Sequence, residues 1–295
     1  MSWQELSDHD REREYSPSSC VGGDITPFLD AYATRSAAAR AACTAAGLEV
    51  RRLHYGDAPR QVIDFVHPRT PDPSPVLVFI HGGYWQELSP DESFFAGADA
   101  VRHGVAHAAV GYTLAPDASL DEIVAEVRAA VVHLVAHADE LGIDPGRVVV
   151  SGSSAGAHLA AMVAIESSPD GVPDWRPAGV VLVSGIYELA PLVGTSINEA
   201  LGLDHDDADR NSPAFAELTG FPPALVAFGD NETVEFKRQS ADFANRIGAA
   251  GGVATVYEIV DRNHFDIILD LAAESEDLGR RVLAMVAATE PDRGR

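Results

Sequence analysis

The chain has 295 residues and is 46% hydrophobic, enough to bury a sizeable core in one large domain. Its 45 acidic against 21 basic residues leave a formal net charge of −24, which repels phosphate backbones and anionic lipid and argues against nucleic-acid and membrane partners. Cys20 and Cys43 form neither a metal-type spacing nor a disulfide framework; with no apolar segment in MSWQELSDHDREREYSPSS and no run near the ~18 residues of a spanning helix, the expected location is cytoplasmic.

Residues 1–34 are polar and resist assignment. The Ala-rich run RSAAARAACTAA (35–46) predicts a helix stopped by Gly47. EVRRLHY (49–55) and QVIDFVH (61–67) read as strands joined by the turn GDAPR, and VLVFI (76–80) as a buried strand. The pattern then alternates: helix 91–103, strand 105–112, helix 120–139, turn GIDPG, strand 147–152, helix 154–166, strand 178–185, strand 224–230, a helix to about 249, strand 253–260 and helix 273–288. Apolar strands alternating with amphipathic helices imply a mostly parallel sheet with helices on both faces. The expectation is a single α/β domain over 1–295, with 1–46 an N-terminal extension packing near the site and 186–222 a lid or pocket wall.

The strand RVVVSG runs into Gly152-Ser153-Ser154-Ala155-Gly156 and then a helix, which is G-x-S-x-G in the strand–turn–helix context that lifts a serine above a sheet. Ser154 is the expected nucleophile, and a serine needs a base that is itself oriented by an acid. In this architecture the chain order is Ser, acid, His. His264, in the loop DRNHFD, is the last histidine and has no competitor in that order. For the acid, Asp230 is preferred over its rivals Glu232 and Asp261 because it directly ends the apolar strand ALVAFGD. His81-Gly82-Gly83-Tyr84-Trp85 follows an early strand, where an HGGG-type loop supplies oxyanion donors, so the N–H groups of Gly83, Tyr84 and Ala155 are the expected oxyanion hole. A glycine turn would explain the two glycines but not their coincidence with Ser154. The histidine pairs 103/107 and 133/137 lack the glutamate of H-E-x-x-H and a third ligand, so no metal is expected; His81 and His158 read as structural.

These residues resemble the kynurenine formamidase (arylformamidase) family of α/β-hydrolases. HGGYW (81–85) is similar to that family's oxyanion loop, and EYSPS (14–18), SAGAHLAAM (154–162), VSGIYELAPL (183–192), RNSP (210–213), EFKRQS (235–240) and HFDII (264–268) resemble family segments in order, so the likeness spans nearly the whole chain. One departure is Ser153, where many relatives carry histidine. The resemblance implies an α/β-hydrolase fold, a Ser154–Asp230–His264 triad, and hydrolysis of N-formyl-L-kynurenine to kynurenine and formate through a formyl-serine. It implies no cofactor. Tyr84, Trp85, Tyr187 and Phe265 are the candidate walls for an aromatic ring, with Trp85 equally well placed to be a core residue. A carboxylesterase for short-chain or aryl esters shares every catalytic residue and competes directly. A non-catalytic ligand-binding homologue is a remoter alternative, since such proteins usually lose a triad member. The expected partner is a small-molecule substrate, and the sequence leaves the oligomeric state open, a homodimer included.

Overall fold

A computed structural model describes residues 3–165 and 175–289. Its strands are β1 (Val50–His54), β2 (Val62–Val66), β3 (Ser74–Ile80), β4 (Ala106–Val110), β5 (Ile143–Ser153), β6 (Gly179–Val183), β7 (Ala224–Asn231) and β8 (Ala254–Asn263). They form one sheet in the order β1-β2-β4-β3-β5-β6-β7-β8. β1 and β2 pair antiparallel, as do β2 and β4; from β4 through β8 every pairing is parallel. The Val, Ile, Leu and Ala runs of β3, β4 and β6 are buried at every position, as parallel strands covered on both faces must be.

The helices are α1 (Asp8–Glu14), α2 (Thr26–Ala45), α3 (Gly97–Arg102), α4 (Leu120–Ala136), α5 (Ala138–Leu141), α6 (Ala155–Ile165), α7 (Asn198–Leu201), α8 (His205–Arg210), α9 (Val234–Ala249) and α10 (Asp277–Ala288). α4 opens with a capping box between Ser119 and Glu122, and its apolar stripe (Ile123, Val127, Val131, Leu134) is buried. α6 is buried on all sides from Ala155 to Ala164, and its small residues let it lie close to β5 and β6.

Several boundaries differ from the sequence expectation. α2 begins at Thr26-Pro27, a proline first turn, well before residue 35. The helix expected over 91–103 shrinks to Gly97–Arg102. Phe94 and Phe95 are both buried but in different apolar clusters, which one helix face cannot achieve. β5 starts at Ile143, and the GIDPG turn survives inside it as a bond from the Gly146 N–H to Asp144 Oδ1 (2.9 Å). The expected end of α6 at residue 166 lies outside the described residues. Because β3, β5, β7 and β8 run parallel, the loops leaving their C-terminal ends gather on one edge of the sheet, where ligands bind in open α/β folds.

Candidate active site

The loop after β5 carries Ser154 at φ +56°, a left-handed conformation that a serine adopts only where the surroundings enforce it. They do so by close approach. A Cβ on Gly156 would lie 2.0 Å from the Ile80 carbonyl oxygen, and one on Gly82 would lie 2.7 Å from the Ser153 carbonyl oxygen and 3.1 Å from Ser154 Cβ. The two glycine-bearing loops are pressed against each other, which seats Ser154 beside the turn that follows β3.

That turn is itself left-handed, with φ +89° at Gly83, +49° at Tyr84 and +60° at Trp85. The Gly83 carbonyl accepts from the N–H groups of Gln86 (2.9 Å) and Glu87 (3.1 Å), which fixes the orientation of the loop's peptides. Among the described residues the N–H groups of Gly83, Tyr84 and Ala155 have no intramolecular acceptor. They are thus available to an external oxygen.

His264 lies 5% exposed in the loop after β8. That loop is held by bonds from the Asn263 N–H to Asp266 Oδ1 (2.7 Å), from the Phe265 N–H to Asn263 Oδ1 (2.9 Å), and from the Tyr32 hydroxyl to the Phe265 carbonyl (2.6 Å). His264 Nδ1 is 3.0 Å from Glu232 Oε2, so Nδ1–H donates to the carboxylate and Nε2 is left as the basic nitrogen. Glu232 is buried, and its Oε1 accepts from the Ser184 hydroxyl (2.6 Å) and the Gly229 N–H (2.6 Å).

Asp230, expected to be the acid, does not contact His264. It is exposed, its Oδ1 accepting from the Arg262 N–H at 3.2 Å. β7 runs on through Asp230 to Asn231, with the register shifting from Gly229↔Ile259 to Asn231↔Asn263, so Asp230 stays on the exposed strand end and Glu232 falls in the turn before α9. Asp261 is likewise exposed, at φ +59°.

Ser154, His264, Gly82, Gly83 and Tyr84 all line one cavity of about 280 Å³. Its other histidine, His81, is fully buried with its ring stacked 4.2 Å from Tyr112, and burial pushes its pKa down to about 4. His81 is therefore a neutral framework residue, as is His158, whose Nε2 lies 2.7 Å from the Asn211 carbonyl and whose pKa burial also lowers to about 4.

Of the four expected walls, Tyr84 and Phe265 line the cavity. Trp85 and Tyr187 do not. Trp85 is fully buried and packs edge-on to His158 at 5.0 Å, while Tyr187 is stacked 4.3 Å from Phe243 in the core. Their places are taken by residues that sequence reasoning missed: Leu29, Tyr32, Phe79, Phe95 and Ile268 form the apolar wall. Ser16, Pro17 and Ser18 come from the EYSPS segment, and Gln86 and Glu87 complete the polar part. The segment 186–222 contributes Ile197. Among the described residues no lysine or arginine lines the cavity. Among the described residues no three His, Cys, Asp or Glu side chains converge as a metal cage, and no helix is long and apolar enough to cross a membrane.

A family profile described as the alpha/beta hydrolase fold matches residues 77–265. The kynurenine formamidase of Danio rerio is 32% identical over 293 residues, covering 96% of this chain and 98% of its own. That of Salmo salar is 31% identical over 294 residues with the same coverage, 96% and 98%. A solved Silicibacter structure, provisionally assigned as a thioesterase, superposes with a TM-score of 0.78 at 28% identity, covering 93% of this chain and 98% of its own. A thermostable carboxylesterase from a metagenomic library reaches a TM-score of 0.70 at 21% identity, covering 90% and 98%, and shares the fold.

Proposed function

From the premise that this chain belongs to the kynurenine formamidase family of α/β-hydrolases, we propose that it hydrolyses the formamide of N-formyl-L-kynurenine, giving kynurenine and formate. The observation that carries the reading is the meeting of Ser154, the Glu232-paired His264 and the Gly83–Tyr84 loop in one cavity walled by aromatic and aliphatic side chains.

In this mechanism His264 Nε2 takes the proton of Ser154 Oγ as the oxygen attacks the formyl carbon. The oxyanion is received by the N–H groups of Gly83, Tyr84 and Ala155, which are preorganised by the left-handed turn and the helix start. Glu232 steadies the imidazolium. His264 returns the proton to the arylamine nitrogen as the C–N bond breaks, leaving formyl-serine. Water, deprotonated by the same nitrogen, adds to that ester, and collapse releases formate and restores the Ser154 hydroxyl. Glu87 faces the substrate's ammonium, and the hydroxyls of Ser16 and Ser18 take its carboxylate. No hydrogen bond within the protein engages these three side chains among the described residues.

A second reading, an esterase for aryl or short-chain esters, is favoured by the absence of lysine and arginine from the lining among the described residues, since nothing cationic there demands an anionic substrate. The deciding experiment compares kcat/KM for N-formyl-L-kynurenine and p-nitrophenyl acetate, with Ser154→Ala as control in both. A preference for the formamide by orders of magnitude supports the first reading, and turnover of the ester alone supports the second.

A further inference from the structure

The turn bearing Glu232 and the loop bearing Tyr84 are far apart in sequence, yet both are fastened to one N-terminal pair, the Glu232 turn through Glu14 and Tyr15 and the Tyr84 loop through Tyr15. Thr233, directly after Glu232, is the N-cap of α9 but makes no capping bond with its own side chain. Glu14 supplies the cap from 220 positions earlier, its carboxylate accepting from the Val234 N–H at 3.0 Å and the Glu235 N–H at 3.4 Å. The Glu14 carbonyl accepts from the Thr233 hydroxyl at 2.6 Å.

Tyr15, 1% exposed, then continues the fastening. Its hydroxyl donates to Glu235 Oε2 (2.7 Å) and accepts from Gln239 Nε2 (3.1 Å), while Gln239 Oε1 accepts from the Tyr187 N–H at 2.7 Å. The Tyr15 backbone carbonyl receives the hydroxyl of Tyr84, the residue whose N–H belongs to the oxyanion loop. A helix N-terminus left without its cap frays in the first turn, and here the first turn adjoins the carboxylate that orients the base.

We propose that Glu14 and Tyr15 are positioning residues of the reaction, a clasp that holds the Glu232 turn and the Tyr84 loop in register with Ser154. The inference rests on the catalytic roles given above to Ser154, Glu232 and His264.

The test uses the full chain and four variants: Glu14→Ala, Glu14→Gln, Tyr84→Phe and the combination of Glu14→Ala with Tyr84→Phe. Glu14→Ala is expected to lower kcat about ten- to a hundredfold, since small misplacements of catalytic groups cost rates of this order, while KM moves less than kcat. Glu14→Gln keeps an oxygen for the two N–H groups and restores most of kcat. Tyr84→Phe keeps the ring that lines the cavity and lowers kcat by releasing the other loop. The combined variant loses less than the product of the single losses, because both bonds secure one clasp.

Full kcat in Glu14→Ala, or failure of glutamine to restore it, overturns the inference. Should Glu14→Ala not accumulate as folded protein, Tyr84→Phe, which removes one oxygen, carries the test, and its full kcat overturns the clasp. Ser154→Ala separates the two kinds of failure. Activity surviving there overturns the catalytic assignment and the clasp with it. A dead Ser154→Ala beside a fully active Glu14→Ala overturns the clasp alone.

Discussion

Glu232 Oε2 sits 3.0 Å from Nδ1 of His264, while Asp230, two residues earlier, points to solvent. A carboxylate in this place selects the tautomer with basic Nε2 and stabilises the imidazolium that forms. Glu232→Gln removes the charge and misdirects the tautomer, so kcat is expected to fall about 10⁴-fold, the size of the acid-to-amide change in a serine–histidine–acid triad. Asp230→Asn alters an exposed group and leaves kcat within about twofold. Steady-state kinetics of the two variants decide the matter, and the opposite ranking would return the acid's role to Asp230.

Phe265 and Tyr187 divide the aromatic residues into wall and core. Phe265 lines the cavity and stacks on Phe28 at 5.3 Å, so Phe265→Leu raises KM for an aryl substrate severalfold with little loss of stability. Tyr187 stacks within the core, where Tyr187→Ala costs about 3–5 kcal/mol. Its hydroxyl is buried without a hydrogen-bond partner among the described residues, so Tyr187→Phe leaves both stability and kcat/KM near those of the parent protein. Thermal unfolding run beside kinetics checks the split. A changed aryl specificity in Tyr187→Phe would place that side chain back at the site.

The sheet was legible because each parallel strand is a short apolar run, and the serine elbow because small residues surround Ser154 in a strand–turn–helix setting. Glu232 stood among the candidate carboxylates, but which of them meets His264 was not legible. A register shift after Gly229 depends on how β7 meets β8, and local pattern carries no trace of pairing between strands. Nearness of an aromatic to a motif in sequence does not decide whether its ring faces the cavity. In the left-handed turn Tyr84 lines the cavity while its neighbour Trp85 is buried against His158. The N-terminal wall, Ser16 to Tyr32, lies far from Ser154 and His264 in sequence and has no periodic signal of its own beyond α2.

Asp64 breaks the apolar run of β2, yet it is 1% exposed. Burial alone would raise its pKa, but Arg52, at 2.7 and 2.8 Å, and Arg40 outweigh burial and hold it below its ordinary value of 3.8. A depressed folded-state pKa contributes stability that is present above the unfolded value and lost as pH falls through the folded one. Asp64→Asn is therefore expected to cost about 2 kcal/mol at neutral pH, less than a fully buried pair because Arg52 regains water. Denaturant unfolding should show this gap constant above about pH 5 and closing below about pH 4. A gap of equal size at both ends of the range would mean that packing, not charge, accounts for Asp64.

Glu87 is the acidic side chain at the cavity mouth with no ion pair among the described residues. If it receives the ammonium of an amino-acid substrate, Glu87→Gln raises KM for N-formyl-L-kynurenine about two- to fivefold, the range of an exposed charge pair, and leaves kcat in place. Formanilide, which carries the same formamide on an uncharged ring, shows no change. The parent protein's KM for formylkynurenine should rise with ionic strength, because an exposed pair is screened within about 10 Å at 0.1 M salt, and the Gln variant should lose that dependence. An equal rise in KM for both substrates would show that Glu87 shapes the mouth without reading the charge, and it would favour a neutral aryl substrate for this cavity.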